Sequence, residues 1–171
     1  MEEQKTLAKD VAAADYNASD MPFDFVEEGE QTALICEADG SVREKIVAAM
    51  KATGYRTSEA ANARDALKKT RFHVYDVVVV NERFDADNPD ANDILVYYEA
   101  LPMTTRRRSF LVLLTDRYRS SDNMAAFNKS VNLVVNLKNI DDFAAIFKRA
   151  FADNTAFYHV FRETLKKMGK T

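Results

Sequence analysis

The chain has 171 residues, 47% of them hydrophobic and 30% charged, which is enough for one domain with a buried core. No apolar run approaches the roughly 20 residues that cross a bilayer, and the first residues lack the basic and then apolar layout of a secretory signal. We therefore expect a cytoplasmic protein without membrane insertion. The single cysteine, Cys36, lies in an apolar run and is predicted to be a buried core residue.

Charge is unevenly distributed along the chain. The first 32 residues contain nine acidic residues and two lysines, a net charge of −7, so the remainder carries +4 of the total of −3. This segment shows no sustained apolar period, and Met21 and Pro22 interrupt it. Residues 1–31 are therefore predicted to form an acidic, flexible leader, with folding back onto the basic body as the alternative.

From residue 33 onward, short apolar runs alternate with amphipathic stretches. The predicted strands lie near residues 33–36, 55–59, 77–80, 110–114 and 131–135. The predicted helices between and after them lie near residues 42–50, 62–70, 91–101, 121–129 and from 140 onward. The run Val77–Val80 is continuous and β-branched, as expected for a central strand that is buried on both faces. This alternation predicts an α/β fold, a doubly wound five-stranded parallel sheet of the (βα)5 type.

A further helix is predicted at the C-terminus, over residues 154–167. Phe157, Phe161 and Leu165 recur there at helical spacing and predict a stripe that packs against another surface. The predicted organisation is a leader at 1–31, a main domain at 32–152 and a C-terminal helical extension at 153–171.

In an open parallel sheet, functional residues gather at the carboxyl ends of the strands. The first, third, fourth and fifth predicted strands end in Glu37-Ala38-Asp39, Asn81, Thr115-Asp116 and Asn136-Leu137-Lys138. In this order and spacing, residues 32–152 resemble the receiver (CheY-like) domains of two-component response regulators. The stretches 34–43 and 75–81 resemble the opening and the third strand of that family.

The resemblance implies a set of pocket positions, and this sequence departs from most of them. In the family, two acids that hold Mg²⁺ follow the first strand, the phosphoacceptor aspartate ends the third, a Thr or Ser ends the fourth, and a lysine ends the fifth. The matching residues here are Glu37 and Ala38, Asn81, Thr115, and Asn136. The position of the family's switch aromatic is occupied by Leu133.

These departures predict a degenerate phosphorylation pocket. An amide oxygen is a poor nucleophile, so Asn81 cannot form the acyl phosphate. With Ala38 and Asn81, two of three carboxylates are missing, and we expect no metal, no cofactor and no catalytic residue. Asp39 and Lys138 are displaced along the chain and point elsewhere, so neither is expected to replace the lost groups.

The predicted function is that of a pseudo-receiver, a non-enzymatic module of bacterial-type signalling or a phosphorelay that binds a protein without phosphorylation. The resemblance implies a partner face within 122–151, and Phe157, Phe161 and Leu165 add a surface for a partner or a second copy. One alternative is a receiver switched by a small ligand at the emptied pocket. Another is a nucleic-acid adaptor that uses the basic cluster Arg106–Arg108, although no recognition pattern accompanies it. A phosphoryl-transfer enzyme would need an aspartate where Asn81 stands.

Overall fold

The computed structural model describes residues 7–14 and 29–170, which fold around one sheet of parallel strands in the order β2-β1-β3-β4-β5. The strands are β1 Thr32–Cys36, β2 Arg56–Glu59, β3 Val77–Asn81, β4 Phe110–Thr115 and β5 Leu133–Asn136. The helices are α1 Leu7–Ala13, α2 Gly40–Ala52, α3 Ala63–Phe72, α4 Asp93–Ala100, α5 Met103–Arg106, α6 Asn123–Asn128, α7 Phe143–Phe157 and α8 His159–Lys167. The predicted doubly wound α/β fold with an extra C-terminal helix is confirmed.

The sheet separates two apolar cores. One core holds Leu34 and Val78 on the side of α3, α4 and α6, and the other holds Ile35 and Phe147 on the side of α2 and α7. The central strand is fully buried from Val77 to Val80, as its β-branched run predicts. Cys36 is also fully buried, and burial raises the pKa of its thiol far above the ordinary value. It is therefore an unreactive core residue.

The register of the sheet brings the strand ends to one edge. β1 pairs with β3 from Ala33 and Val77 onward, and β3 continues beside β4 to the pair Asn81 and Leu114. At the next pairing, Thr115 lies beside Asn136. Because all strands are parallel, the residues that follow their carboxyl ends share this edge.

Part of the predicted leader is helical and packed. In α1, Val11 is 2% exposed, and Arg71 Nη1 of α3 donates to the carbonyls of Val11 and Ala14 at 3.0 and 2.9 Å. Residues 7–14 thus differ from the predicted flexible leader, because Val11 is buried and Arg71 satisfies carbonyls at the end of the helix. Residues 1–6 and 15–28 lie outside the described residues, so the remainder of the prediction stays a prediction.

The C-terminal boundary differs from the predicted division at 152/153. α7 continues to Phe157 because no proline or glycine interrupts it, and the turn lies at Tyr158, whose N–H bonds to the Asn154 carbonyl at 3.1 Å. α4 begins at Asp93 instead of residue 91, because Asn92 Oδ1 accepts from the N–H groups of Ile94 and Leu95. The short α5 was not predicted. None of the helices in the described residues has the length and apolar character needed to cross a membrane.

Candidate functional site

Glu37 and Asn81 meet at the carboxyl edge of the sheet. Asn81 Nδ2 donates to Glu37 Oε2 at 2.8 Å, and the Asp39 N–H donates to Glu37 Oε1 at 2.9 Å. Asn81 Oδ1 accepts from the Arg83 N–H at 2.9 Å. Glu37 is only 3% exposed, so these internal bonds replace the water that its carboxylate has lost. An ionised aspartate at position 81 could not donate to Glu37, whereas the asparagine amide does.

The same edge does not fit a magnesium ion. Ala38 supplies no side-chain ligand, and Asp39 Oδ1 caps α2 by accepting from the Val42 N–H at 3.0 Å. Arg43 Nη1 donates to the carbonyls of Glu37 and Ala38 at 3.1 and 3.3 Å, so a positive charge lies beside this end of β1 and disfavours a divalent cation there. Within residues 7–14 and 29–170, no group of three or more His, Cys, Asp or Glu side chains is arranged to hold a metal.

Thr115 is fully buried and bonds to Glu82, which directly follows Asn81. Its Oγ1 donates to Glu82 Oε1 at 2.7 Å and accepts from the Arg117 N–H at 2.9 Å. Glu82 is 1% exposed, and Arg117 bonds to it through Nε, at 3.1 Å from each oxygen, and through Nη2, at 2.6 Å from Oε2. Successive residues at a strand end point to opposite faces, so the Glu82 carboxylate lies on the other side of the sheet from the Asn81 amide.

The ion pair extends to the surface through Asp90. Arg117 Nη2 lies 3.0 Å from Asp90 Oδ1, and Lys129, which caps the end of α6, also bonds to that carboxylate. Hydrogen bonds from Arg117 and Lys129 hold the pKa of Asp90 well below its usual range. Bonds to Glu82 and Asp90 raise the pKa of the Arg117 guanidinium. Glu82, Arg117, Asp90 and Lys129 therefore form a charged network that joins β3 and β4 to α6.

This network is not among the sites predicted from the sequence. Its only signal there is a glutamate immediately after a predicted buried strand, because a carboxylate in that position needs a cation nearby. The sequence does not say which of the neighbouring arginines supplies it.

Asn136 holds the end of β5 to the loop after β4. Its Nδ2 donates to the Tyr118 carbonyl at 2.7 Å, its Oδ1 accepts from the Lys138 N–H at 2.9 Å, and its own N–H donates to Ser120 Oγ at 2.9 Å. Lys138 is exposed. Of the five predicted pocket positions, Glu37 and Asn81 are in direct contact, whereas Thr115 and Asn136 are neighbours whose side chains bond elsewhere.

The predicted basic cluster Arg106–Arg108 is divided. Arg106 Nη1 donates to the Ser109 carbonyl at 2.9 Å, and Nη2 donates to the Ser130 carbonyl at 2.9 Å. Arg106 therefore joins the loops before β4 and β5. Arg107 and Arg108 are exposed, and the Arg107 guanidinium lies 5.1 Å from the centroid of the Phe161 ring.

The predicted stripe is divided as well. Phe157 lies at one end of a groove of about 750 Å³ that runs between α6, β5 and α7. Its side chain is 80% exposed, and Phe127 on α6 is 79% exposed. Phe161 and Leu165 lie beyond the turn at Tyr158, on α8. The stripe is thus distributed over two helices, and the Tyr158 ring contacts both Phe157 and Phe161, with centroids 4.9 and 6.2 Å away.

No family model and no curated protein matches this chain. Several solved structures are similar to it in fold. The chemotaxis response regulator CheY4 of Vibrio cholerae is 16% identical with a TM-score of 0.55, over 71% of this chain and 98% of its own. A CheY-like receiver domain protein of Methanospirillum hungatei is 14% identical with a TM-score of 0.57, over 75% and 98% of the two chains. A receiver domain of Methylobacillus flagellatus is 18% identical with a TM-score of 0.54, over 71% and 99%. The chain therefore has the CheY-like receiver-domain fold.

Proposed function

We propose that the protein is a phosphorylation-independent receiver-like module that acts in signalling by binding another protein. The observation that carries this proposal is the 2.8 Å hydrogen bond from Asn81 Nδ2 to the buried Glu37 carboxylate. It supports the proposal because the side chain of residue 81 acts as a neutral donor, and because both oxygens of the Glu37 carboxylate accept hydrogen bonds from within the chain.

Three features of the edge support the absence of phosphoryl transfer. The amide at position 81 has no carboxylate oxygen to attack a phosphodonor. Arg43, hydrogen-bonded to the carbonyls of Glu37 and Ala38, opposes a divalent cation. The Thr115 hydroxyl already donates to Glu82.

The groove between α6, β5 and α7 is the proposed partner face. Phe157 exposes most of its ring at the lining of this groove, and Asp122 and Arg149 supply charges of both signs there. Phe127 is not part of the lining, but it exposes most of its ring on α6, one of the helices that border the groove. Exposed aromatic anchors with a polar border are typical of protein interfaces. β5 is also an edge strand of the sheet.

The proposed absence of phosphorylation is tested by exposing the protein to a phosphodonor. The protein is incubated with MgCl2 and acetyl phosphate, or with beryllofluoride, and is examined by intact mass and by NMR of the backbone amides. We expect no mass increase and no shifts at residues 37, 81 and 115. A phosphorylatable receiver treated in parallel is the control. A stable adduct in this pocket would contradict the proposal.

The binding half is tested with the variant Phe127→Ala/Phe157→Ala. We expect it to lose partners that co-purify with the wild-type chain, without a change in thermal stability, because both rings are already exposed. Val96→Ala, at a site on α4 that is 45% exposed, is the control. Sedimentation velocity on the purified chain separates self-association from binding of a different protein. A double variant with the wild-type partner set and oligomeric state would count against this face.

A further inference from the structure

α8 presents an uncovered apolar side. Val160 is 74% exposed, Met168 is 60% exposed and Phe161 is 40% exposed, and the helix has no buried residue. At 3.6 residues per turn, these three side chains and Leu165 share one side of the helix. The groove between α6 and α7 contains no residue of α8, so this side lies outside the groove. The Tyr158 ring, in contact with Phe157 and Phe161, lies between the two surfaces.

The opposite side of α8 is basic. Residues 159–170 contain four Lys and Arg residues and one acid, Glu163, a net charge of +3 with histidine neutral. Arg162 and Lys166 lie opposite the apolar side, Lys167 lies at its border, and Lys170 follows the end of the helix. Lys166 is 3.6 Å from Glu163. The Arg107 guanidinium, over the Phe161 ring, adds a cation beside the apolar side chains.

The apolar side of α8 and its flanking positive charges together favour one kind of binding partner over others. Two copies of α8 packed side by side would bring together two segments 159–170 of +3 each, so like charges oppose self-association. An anionic occupant complements the charge. Exposed helices with an apolar side and flanking cations lie in the headgroup region of a bilayer that contains anionic lipids.

We propose that α8 binds an anionic lipid surface peripherally. Val160, Phe161 and Met168 enter the boundary between headgroups and acyl chains, and the lysines and arginines contact lipid phosphates and carboxylates. α8 spans nine residues, so it lies in the plane of the surface and does not cross it. Binding through so short a helix is reversible and is weakened by salt. This inference is independent of the proposed protein-binding face.

The test uses the full chain and two kinds of vesicle, one of phosphatidylcholine alone and one of phosphatidylcholine mixed with phosphatidylserine. We expect co-sedimentation with the mixed vesicles only, and its loss on addition of salt. The chain contains no tryptophan, so Val160→Trp introduces a single fluorescent reporter. Its emission should shift to the blue with the mixed vesicles, whereas that of the control Phe127→Trp on α6 should not.

Two variants separate the two contributions. Val160→Ser/Phe161→Ser and Lys166→Gln/Lys167→Gln should each lower the vesicle partition coefficient at least about tenfold. Phe127→Ser is the matched apolar control, and Lys51→Gln/Arg64→Gln, at exposed sites on α2 and α3, is the matched charge control. Circular dichroism confirms that the variants fold.

Several outcomes would overturn the proposal. One is the absence of binding to the mixed vesicles, and another is equal binding to both kinds. Equal losses in the test and control variants would show that the binding is not through α8. Self-association that is abolished by Val160→Ser/Phe161→Ser would assign this side to a second copy of the chain. Binding to an acidic protein in the absence of any vesicle binding would assign it to a protein partner.

Discussion

Arg117 closes over the buried carboxylate of Glu82, with Nη2 2.6 Å from Oε2. The preceding residue, Asn81, points to the other face of the sheet and bonds to Glu37 at 2.8 Å. Two successive residues at the end of β3 therefore bond to different segments. Asn81 bonds to Glu37 after β1, and Glu82 bonds to Arg117 after β4. Each interaction replaces solvent around a buried carboxylate.

Arg117→Ala is expected to destabilise the protein by about 2–3 kcal/mol, because it leaves the Glu82 carboxylate buried without its cation. The loss is smaller than for a fully buried pair, since the Arg117 side chain is 29% exposed. Urea denaturation measures the free energy of unfolding. The neighbouring exposed Arg119→Ala is the control and should change it by less than about 0.5 kcal/mol.

The double variant Glu82→Met/Arg117→Met distinguishes burial of an unpaired charge from loss of packing. We expect it to be more stable than Arg117→Ala, because it removes the carboxylate along with its partner. If Arg117→Ala and Arg119→Ala were equally stable, the ion pair would have no structural role.

Asn81→Asp is expected to lower stability at neutral pH, because it replaces the donor at 2.8 Å from Glu37 Oε2 with a second carboxylate. The two acids would share a proton, so one pKa of the pair would lie above the unfolded value. The loss should therefore be absent at acidic pH and appear as the pH rises through the raised pKa. Thermal melting at a series of pH values measures this change.

Magnesium provides an independent readout of the same position. MgCl2 should raise the melting temperature of Asn81→Asp, and more so that of Ala38→Asp/Asn81→Asp, by neutralising the added carboxylates. It should leave the wild type unchanged. A wild-type shift as large as that of the double variant would contradict the description of this edge as unfit for the metal.

His73 is expected to make the protein sensitive to mild acid. Burial lowers its pKa, while the Asp76 carboxylate acts in the opposite direction, and its Nε2 is hydrogen-bonded to Thr32 Oγ1 at 2.7 Å. Because the folded-state pKa lies below the unfolded value of about 6.5, the unfolded chain binds more protons in that range. Stability should therefore fall as the pH drops below about 6.5.

The comparison that isolates this histidine is the pH dependence of the melting temperature in His73→Gln, which should be flatter than in the wild type between about pH 7 and 5. His159→Gln, which removes the exposed histidine of α8, should keep the wild-type slope. Equal slopes in the wild type and His73→Gln would refute the assignment.

Arg71→Ala is expected to release α1 from α3, because its guanidinium holds the carbonyls of Val11 and Ala14. Amide hydrogen exchange in residues 7–14 should accelerate, and the global free energy of unfolding should fall by only about 1 kcal/mol. Arg64→Ala, at an exposed site on the same helix, is the control. Unchanged exchange in Arg71→Ala would show that Val11 alone anchors the helix.

The sequence by itself determined the sheet and the chemistry missing from its edge. The β-branched run Val77–Val80 predicts a central strand wherever it occurs, since side-chain branching and burial act locally. Asn81 lacks a carboxylate in any conformation, so the prediction that it accepts no phosphoryl group needs no structure. The helix limits were less predictable, because a cap such as Asn92 or a turn such as Tyr158 depends on a few hydrogen bonds.

Only the tertiary structure decided which groups meet. The bonds of Asn81 to Glu37 and of Arg117 to Glu82 join residues 44 and 35 positions apart, and they depend on the face to which each side chain points. The same holds for Arg71, which packs α1 onto the domain. Residue type and hydrophobic pattern depend only on neighbouring residues in the chain. Contacts between distant side chains also depend on the register of the whole sheet, because a shift of one residue would turn every side chain of a strand to the opposite face.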